Sequence, residues 1–592
     1  MATTGRHRAK RIRHLERLES RNLLAIVVDT LTDEFDGSID DGDVSLRDAI
    51  AAAPANEVIF IDAEGTLQLS MGQLSIDKPL RIIGPGADRL TIDANSQSRI
   101  FGVHYDDLSE DRRFELSGVK LTGGMVDGAN GGAIWATEDV LLSQVHVAEN
   151  PTLSIESRGN VEIFDSIIAD HAYLTGENVS ITNTRIENSR VSTSYRTSTT
   201  ITDSTFVNAG VRTSLHAEGD AVGELRVVGS AFNGNDSAGI GIEARFVANT
   251  FIYDSTFEGY LAHAVESEHS RLEVVNSEFQ QNHAAIETNS GALILDRVKV
   301  TENHSVAPRV SPVTAWQASE VAIRDSEFRG NSSSTGPAAV AIDADGAIFV
   351  ADSVFEDNHG RQGGALCIEE SATTVNLQRI SVVGNSSEGN AGGLLVRTRG
   401  RRDDYVSIID SQIENNSADS IGGGMQIDSG HNRLEITNTR IVGNSAGASG
   451  GGMYLTTYDG LISNSTISDN SSQELGGGIY RFLGRFVIEN SELSYNSAAS
   501  GGAVHALSSL TVSNSSVVYN AASDSGGAFW GGATIENSTV AHNSADIGGA
   551  VYAPGNDPTV RQSTVAHNQA NEGAGIHAVD PVVVNSIIAG NL

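Results

Sequence analysis

Three sets of residues in this chain have the types and spacing that chemistry could use. The first is a row in which each residue follows a Gly-Gly-small-apolar stretch: Trp135, Cys367, Val396, Gln426, Tyr454, Tyr480, His505, Trp530, Tyr552 and His577. If the apolar residue points into a core, the next one points outward, because successive strand side chains alternate between faces. Aromatic residues are only 5% of the chain, so their concentration at one position carries information. Rings with polar edges can form a platform for sugars, and Trp135, Tyr454, Tyr480, Trp530 and Tyr552 are the residues this selects. A plainer role also fits, since aromatics favour strands and neighbours in register stabilise one another.

The second set is basic: Arg397, Arg399, Arg401 and Arg402, with Tyr405 beside them and Arg361 one repeat earlier. Guanidinium forks can hold the carboxylates of an anionic glycan through paired hydrogen bonds. A lyase acting on uronates would use such a cation, plus an Arg, Lys or Tyr base. A solvated loop insertion is the simpler account. The third set is the carboxylate pairs Asp106-Asp107 and Asp403-Asp404. An inverting hydrolase needs two carboxyl groups about 6.5–9.5 Å apart, but neighbouring aspartates in a loop more often form a solvated turn. Neither pair has a Gly-His-Gly or Arg-Ile-Lys sequence beside it. His505, His542, His567 and His577 recur without cysteines or close histidine spacing, so no metal is expected. Cys367 has no sequence neighbour suited to activate it. No cofactor is implied.

What must position these residues is a repeat. Asn438, Asn464, Asn490, Asn514, Asn537, Gln562 and Asn585 recur at spacings of 26, 26, 24, 23, 25 and 23 residues. Six residues after each comes Asn444, Asn470, Asn496, Asn520, Asn543, Asn568 or Asn591, and glycine runs follow at 476–478, 501–502, 526–527 and 548–549. A fixed period in the mid-twenties is a solenoid signature, and it overrides the several globular domains that 592 residues would otherwise suggest. Earlier copies turn at Gly118, Gln144, Asp165, Asn183, Asp203, Gly229, Asp254 and Asn276, and then at Asp325, Asp352, Arg379 and Asp410. In Leu510-Thr511-Val512-Ser513-Asn514-Ser515-Ser516-Val517 apolar residues alternate, as a strand with one buried face requires. The asparagines suit corners, because Asn tolerates left-handed backbone and its amide can bond the equivalent amide one coil away. Parallel crossovers wind right-handed. The expected fold is all-β: a single-stranded right-handed parallel β-helix, a pectin-lyase-like solenoid, of about twenty coils over 114–592.

Residues 29–113 are expected to hold a capping helix and the first coils. Leu46, Ala49, Ile50 and Ala53 share one helical face, Ser45 and Asp48 have capping-box spacing, and Pro54 stops the helix. Residues 1–28 read as a basic targeting segment, and its apolar run at 23–28 is short for an ordinary secretion signal. The array ends in half a coil with no visible cap, so a further stretch of chain or a capping partner is expected there.

The formal charge of −36 argues against nucleic acid as a partner. One cysteine allows no internal disulfide, and no apolar run reaches the roughly 18 residues of a membrane helix. Leu18-Glu19-Ser20-Arg21-Asn22-Leu23-Leu24 resembles the Leu-Glu-Pro-Arg-x-Leu-Leu motif of large bacterial surface proteins, with Ser20 in place of proline. Ser45-Leu46-Arg47-Asp48-Ala49-Ile50, followed by Val58-Ile59-Phe60 and Ile82-Ile83-Gly84-Pro85-Gly86-Ala87, resembles the Cys-Ser-Leu-Arg-Glu-Ala domain that opens many bacterial β-helix proteins, with Val44 in place of cysteine. Phe-x-x-Asn at Phe232/Asn235, Phe279/Asn282, Phe328/Asn331 and Phe355/Asn358, with Gly-Gly-Ala-Ile at 131–134, resembles the polymorphic outer-membrane-protein repeat. These resemblances imply a secreted or cell-surface protein that binds a polysaccharide or a protein without catalysis. A polysaccharide lyase or glycoside hydrolase is the alternative, with 352–410 the place for its site.

Overall fold

A computed structural model describes residues 25–592, apart from 41, 106–112, 127–130, 151–153, 170–172, 195–197, 215–222, 238, 308–309, 338, 372–373, 399–404 and 556. The Leu18-to-Leu24 motif therefore lies outside the described residues. The expected helix forms at Leu46–Ala52, where the Ser45 side chain accepts from the Asp48 amide at 3.0 Å. Asp48 does not close the box on the Ser45 backbone. It accepts instead from the Ser45 hydroxyl at 2.7 Å and from the Gly37 amide at 2.9 Å, so it also pins the preceding loop. Leu46, Ala49, Ile50 and Ala53 are all buried. Arg47 holds Asp33 and the carbonyls of Gly72 and Gln73, fixing the helix over the first coil. No helix among the described residues is long and apolar enough to cross a membrane.

The rest is a right-handed parallel β-solenoid. One coil shows its parts: strands Leu394–Thr398, Tyr405–Ile409, Gln412–Glu414 and Ser417–Ala418. Each pairs in parallel with its equivalent one coil on, Leu394 with Met425, Tyr405 with Arg433, Gln412 with Arg440 and Ser417 with Ser445. Four stacks of strands result. The first two merge where Met425–Thr437 and Met453–Ser463 run straight through their shared corner. The third holds 22 strands and the fourth nine. At about 4.8 Å per strand, 22 layers make a rod on the order of 100 Å long. Side chains alternate as expected, Leu510 and Val512 inward and Thr511 and Ser513 less buried. The stretch 510–517 is two strands, however: Asn514, at φ 49°, turns the chain between Leu510–Ser513 and Ser516–Val518.

The two asparagine positions do different work. Every corner residue named above, from Gly118 to Asn585, has positive φ, including Gln144, Arg379 and Gln562. That conformation costs an ordinary L-residue roughly 1–2 kcal/mol and Gly, Asn or Asp less. The second asparagine is buried and supplies the amide ladder. Asn470 Oδ1 accepts from both the backbone amide and Nδ2 of Asn444 at 3.0 Å, while Asn470 Nδ2 donates to Ile441 O at 2.8 Å and Asn496 Oδ1 at 3.0 Å. The ladder starts at Asn282 and runs through Asn591. Asn235 is not in it, despite its Phe-x-x-Asn context. It is exposed at φ 47°, where the strand Ala231–Ser237 shifts register against the next coil. A third ladder follows each left-handed corner: Ser465 N donates to Ser491 Oγ, and Ser491 N to Ser515 Oγ, both at 3.1 Å.

Inside, phenylalanines continue the stacking. Phe206, Phe232, Phe257 and Phe279 follow one another at ring distances of 4.4, 4.7 and 4.8 Å. At the carboxyl end Val582, Val583, Val584, Ile587 and Ile588 are 41–61% exposed, whereas Val560 and Val565 one coil earlier are fully buried.

These roles separate by mutation. Asn470→Ala strands Ile441 O and two donors of Asn444, each costing roughly 1–3 kcal/mol, so urea unfolding should show a loss of at least about 3 kcal/mol. Asn464→Gly should be neutral within about 0.5 kcal/mol, because only its backbone geometry is used. Equal losses at the two positions would contradict this division.

Candidate functional site

Strand register decides which side chains stand in one row. Along the first stack the outward row runs Cys367, Leu395, Gln426, Tyr454, Tyr480, His505, Trp530, Tyr552 and His577. Val396 is not in it: it is buried and pairs with Ile368 and Ile427. Gly393, not a leucine, fills the small position of that coil, which moves the outward place back to Leu395. Trp135 belongs to the same row but far up the rod, between Gly102 and Glu156, with the Arg99 guanidinium 5.4 Å from its ring centre.

The rings of the row stack along the rod. Tyr454 and Tyr480 are 4.8 Å apart, Tyr480 and His505 5.5 Å, and His505 and Trp530 4.1 Å, with interplanar angles of 21°, 23° and 9°. Their faces are turned to one another, so a ligand meets edges there. Between Trp530 and Tyr552 the distance grows to 6.3 Å and the angle to 54°, which opens the stack. Burial pushes the phenols of Tyr454 and Tyr480 up, keeping them proton donors. His505 is almost fully buried in the stack and its Nδ1 has no partner among the described residues. Burial pushes its imidazole down to about 4.

Upstream on the same face lies a groove of about 620 Å³, lined by Trp316, Asp343, Arg361, Gln362, Cys367 and Glu369 among others. Register irregularities between Ala315 and Ala318, and between Ile368 and Ser371, sit beside it. Such bulges re-aim side chains and concentrate near functional sites. Arg397, half-exposed, donates from Nη1 to Glu369 Oε1 at 2.6 Å. Thus Arg361 reaches the groove and Arg397 is tied to one of its walls. Arg399, Arg401, Arg402, Asp403 and Asp404 lie outside the described residues, as do Asp106 and Asp107. Tyr405 faces elsewhere, donating to Glu435 at 2.7 Å, and its phenol is pushed up to about 12 by burial and that carboxylate. The Cys367 thiol is buried and pushed well up by desolvation, which leaves it unreactive.

Trp316, Asp343, Gln362 and Glu369 were not legible as a site. The coil of Trp316 lacks a glycine pair: Pro312 O accepts the amides of Ala285 and Ile286, the place Gly393 O fills for Ala365 and Leu366. A usable signal was that Trp316 is one of three tryptophans. His542 and His567 belong to a separate exposed ladder with Tyr495 and Tyr519, at ring distances of 5.1, 4.9 and 5.3 Å, on the corner between the third and fourth stacks. No group of three or more metal-ligating side chains forms among the described residues.

A family model described as a right-handed β-helix region matches residues 393–580, the coils with the most regular Gly-Gly, Ser and Asn positions. No curated protein matches the chain. Among solved structures, the PL6-family alginate lyase AlyGC is 10% identical over 96% of this chain and 99% of that one, with a TM-score of 0.25. Tailspike protein 3 of bacteriophage CBA120 is 12% identical over 95% of this chain and 61% of that one, with a TM-score of 0.13. Likeness at these scores establishes no shared site.

The buried imidazole gives a pH signature. The folded ring resists a proton that the unfolded chain accepts near 6.5, so stability is complete above that pH and is lost progressively as pH falls toward about 4. Relative to wild type, His505→Phe should remove a slope of at most about 1.4 kcal/mol per pH unit within that window. Parallel stability curves for the two proteins would refute a neutral stacked His505.

Proposed function

We propose that this chain is a binding protein that seats a glycan lengthwise on the outward face of its first strand stack. The observation that carries this reading is the groove, in which an indole stands among carboxylate, amide and guanidinium side chains. Its row continues in register to the ring stack at Tyr454, Tyr480, Trp530 and Tyr552. Sugars present apolar C–H faces and hydroxyl edges, and a concave site with an aromatic wall and a few fixed polar groups matches both. A rod repeating every coil suits a ligand that is itself a repeating polymer. The acidity of the chain and its resemblance to bacterial surface proteins support action at a cell surface, as an adhesin would act. A surface protein is the other kind of partner this reading allows.

Cleavage is the second reading, and one observation favours it: Asp343 and Glu369 line the same groove from neighbouring coils, with Arg361 also in its lining. Each stands one residue past the last register pair of its strands, Ile342 with Ile368, where backbones are about 4.8 Å apart, and a retaining glycosidase holds its two carboxyl groups roughly 5–5.5 Å apart. Binding is preferred because Glu369 already shares an oxygen with Arg397.

A panel of neutral and uronic-acid polysaccharides tests both. At least one polymer should bind, Trp316→Ala should weaken it about tenfold or more, as loss of a packed indole implies, and Trp530→Ala with Tyr552→Ala should weaken it further. Binding indifferent to all three changes, or no binding at all, would refute the reading. New reducing ends or 4,5-unsaturated products would put cleavage first.

A further inference from the structure

A second cavity lies on the same outward row, nearer the amino terminus. Register steps from Glu243 to Glu266, Glu287 and Thr314 place it three coils before the strand of Trp316, where the groove begins, or roughly 15 Å at about 4.8 Å per strand. Its volume is about 440 Å³ and its walls include Arg190, Arg212, Glu243, Asn208 and Tyr260. Gly210 lies in the wall, where an added Cβ would come within 2.2 Å of Ile240 O, so only glycine fits.

The charges in this cavity do not balance. Glu243 is 6% exposed and is the one carboxylate on its wall among the described residues, against two guanidinium groups. It makes a close ion pair with Arg190, at 2.6 Å to Nη2. Arg212 is the second ion-pair partner of Glu243, at 3.4 Å from Nε; that nitrogen is buried without a hydrogen-bond partner among the described residues, while the side chain as a whole is 38% exposed. Arg245 shares the same carboxylate, with Nε 3.1 Å from Glu243 and likewise lacking a hydrogen-bond partner among the described residues, but it also has Glu266 at 2.7 Å and Glu268 at 3.6 Å, carboxylates that Arg212 does not reach. Two partly exposed guanidinium groups that share one carboxylate have donors to spare, and an extra cation in a concave wall is a place for an anion. The rest of the chain is strongly acidic, which makes two arginines sharing one carboxylate on a cavity wall more informative.

We propose that this cavity binds an anionic group carried on a sugar-sized ring, a carboxylate or a sulfate ester, with Arg212 as its principal partner and Arg190 as the second. The volume exceeds that of a bare ion and leaves room for the ring. Tyr260 closes the floor, its hydroxyl donating to Ala209 O at 3.0 Å, so the phenol is already satisfied and the ligand's charge falls to the arginines. The anion would be held here whether or not a polymer lies along the groove.

Calorimetric titration of the whole chain tests this with four probes: methyl glucuronoside, a sulfated methyl glycoside, methyl glucoside and inorganic sulfate. The acidic glycosides should bind and the neutral one should not. Arg212→Gln should weaken them about tenfold or more, the loss expected for a charged hydrogen bond. Arg212→Lys should fall between, and Glu243→Gln should tighten binding by removing the competing carboxylate. Melting temperatures of the variants identify any that misfold, and Arg212→Lys then carries the comparison. Trp316→Ala should leave these affinities unchanged. Equal binding of neutral and acidic glycosides, indifference to Arg212, or loss on Trp316→Ala would overturn the site. Inorganic sulfate binding as tightly as both acidic glycosides would overturn the role given to the ring. Acidic glycosides that bind while every polymer fails would sustain this cavity and refute the lengthwise glycan.

Discussion

Everything in this molecule depends on keeping each coil in phase with the next. A coil of a parallel solenoid has no local partner for its backbone: its N–H groups are satisfied only by the carbonyls of its neighbour, at a fixed rotation about the rod. A slip by one residue would turn every buried Val and Ile outward. The buried asparagine ladder prevents that slip. Each amide joins two coils through a shared Oδ1 and ties back to a carbonyl of the preceding strand, as Asn470 does with Asn444, Asn496 and Ile441. The serine ladder, two residues after the strand end, repeats the constraint on the other side of the third stack. Hydrophobic filling supplies bulk stability, and these buried polar columns define the phase.

Fixed phase is what turns a sequence position into a surface. Once each coil is locked, residues that are about 25 positions apart become neighbours, and a row of rings forms because their coils are in register. The same constraint explains why the grooves occur where the repeat is least regular. Around Trp316 and Glu369 the register shifts, and the residues of these strands line a groove. Around Tyr454 to His505 the coils are uniform, and the rings can only stack on one another. Recognition and regularity thus divide the face: depth and charge upstream, flat ordered rings downstream.

The fold was legible because solenoid positions repeat. The left-handed corners could be named one by one, even where Gln144 or Arg379 stood in place of asparagine, since spacing alone located them. The outward row from Cys367 to His577 was likewise readable, with a single error at Val396, where three small residues in succession left the phase ambiguous. The groove was not readable. It depends on Trp316, whose coil has Val310-Ser311-Pro312 where the regular coils have Gly-Gly-small, and on Asp343 and Glu369, which are ordinary acidic residues until the coils bring them to one wall. The charge imbalance at Arg212 is equally invisible in sequence, because Arg190, Arg212 and Glu243 come from three different coils.

Oxidative footprinting of the chain with and without a bound polysaccharide tests the central claim, that the outward face of the first stack is the recognition face. Protection is expected at Trp316, Tyr454, Trp530 and Tyr552. Tyr495 and Tyr519, about half-exposed on a different corner, should be oxidised at the same rate in both samples. Protection at Tyr495 and Tyr519 with none at Trp316 would place the binding face elsewhere around the rod and rule out the first stack as the recognition face.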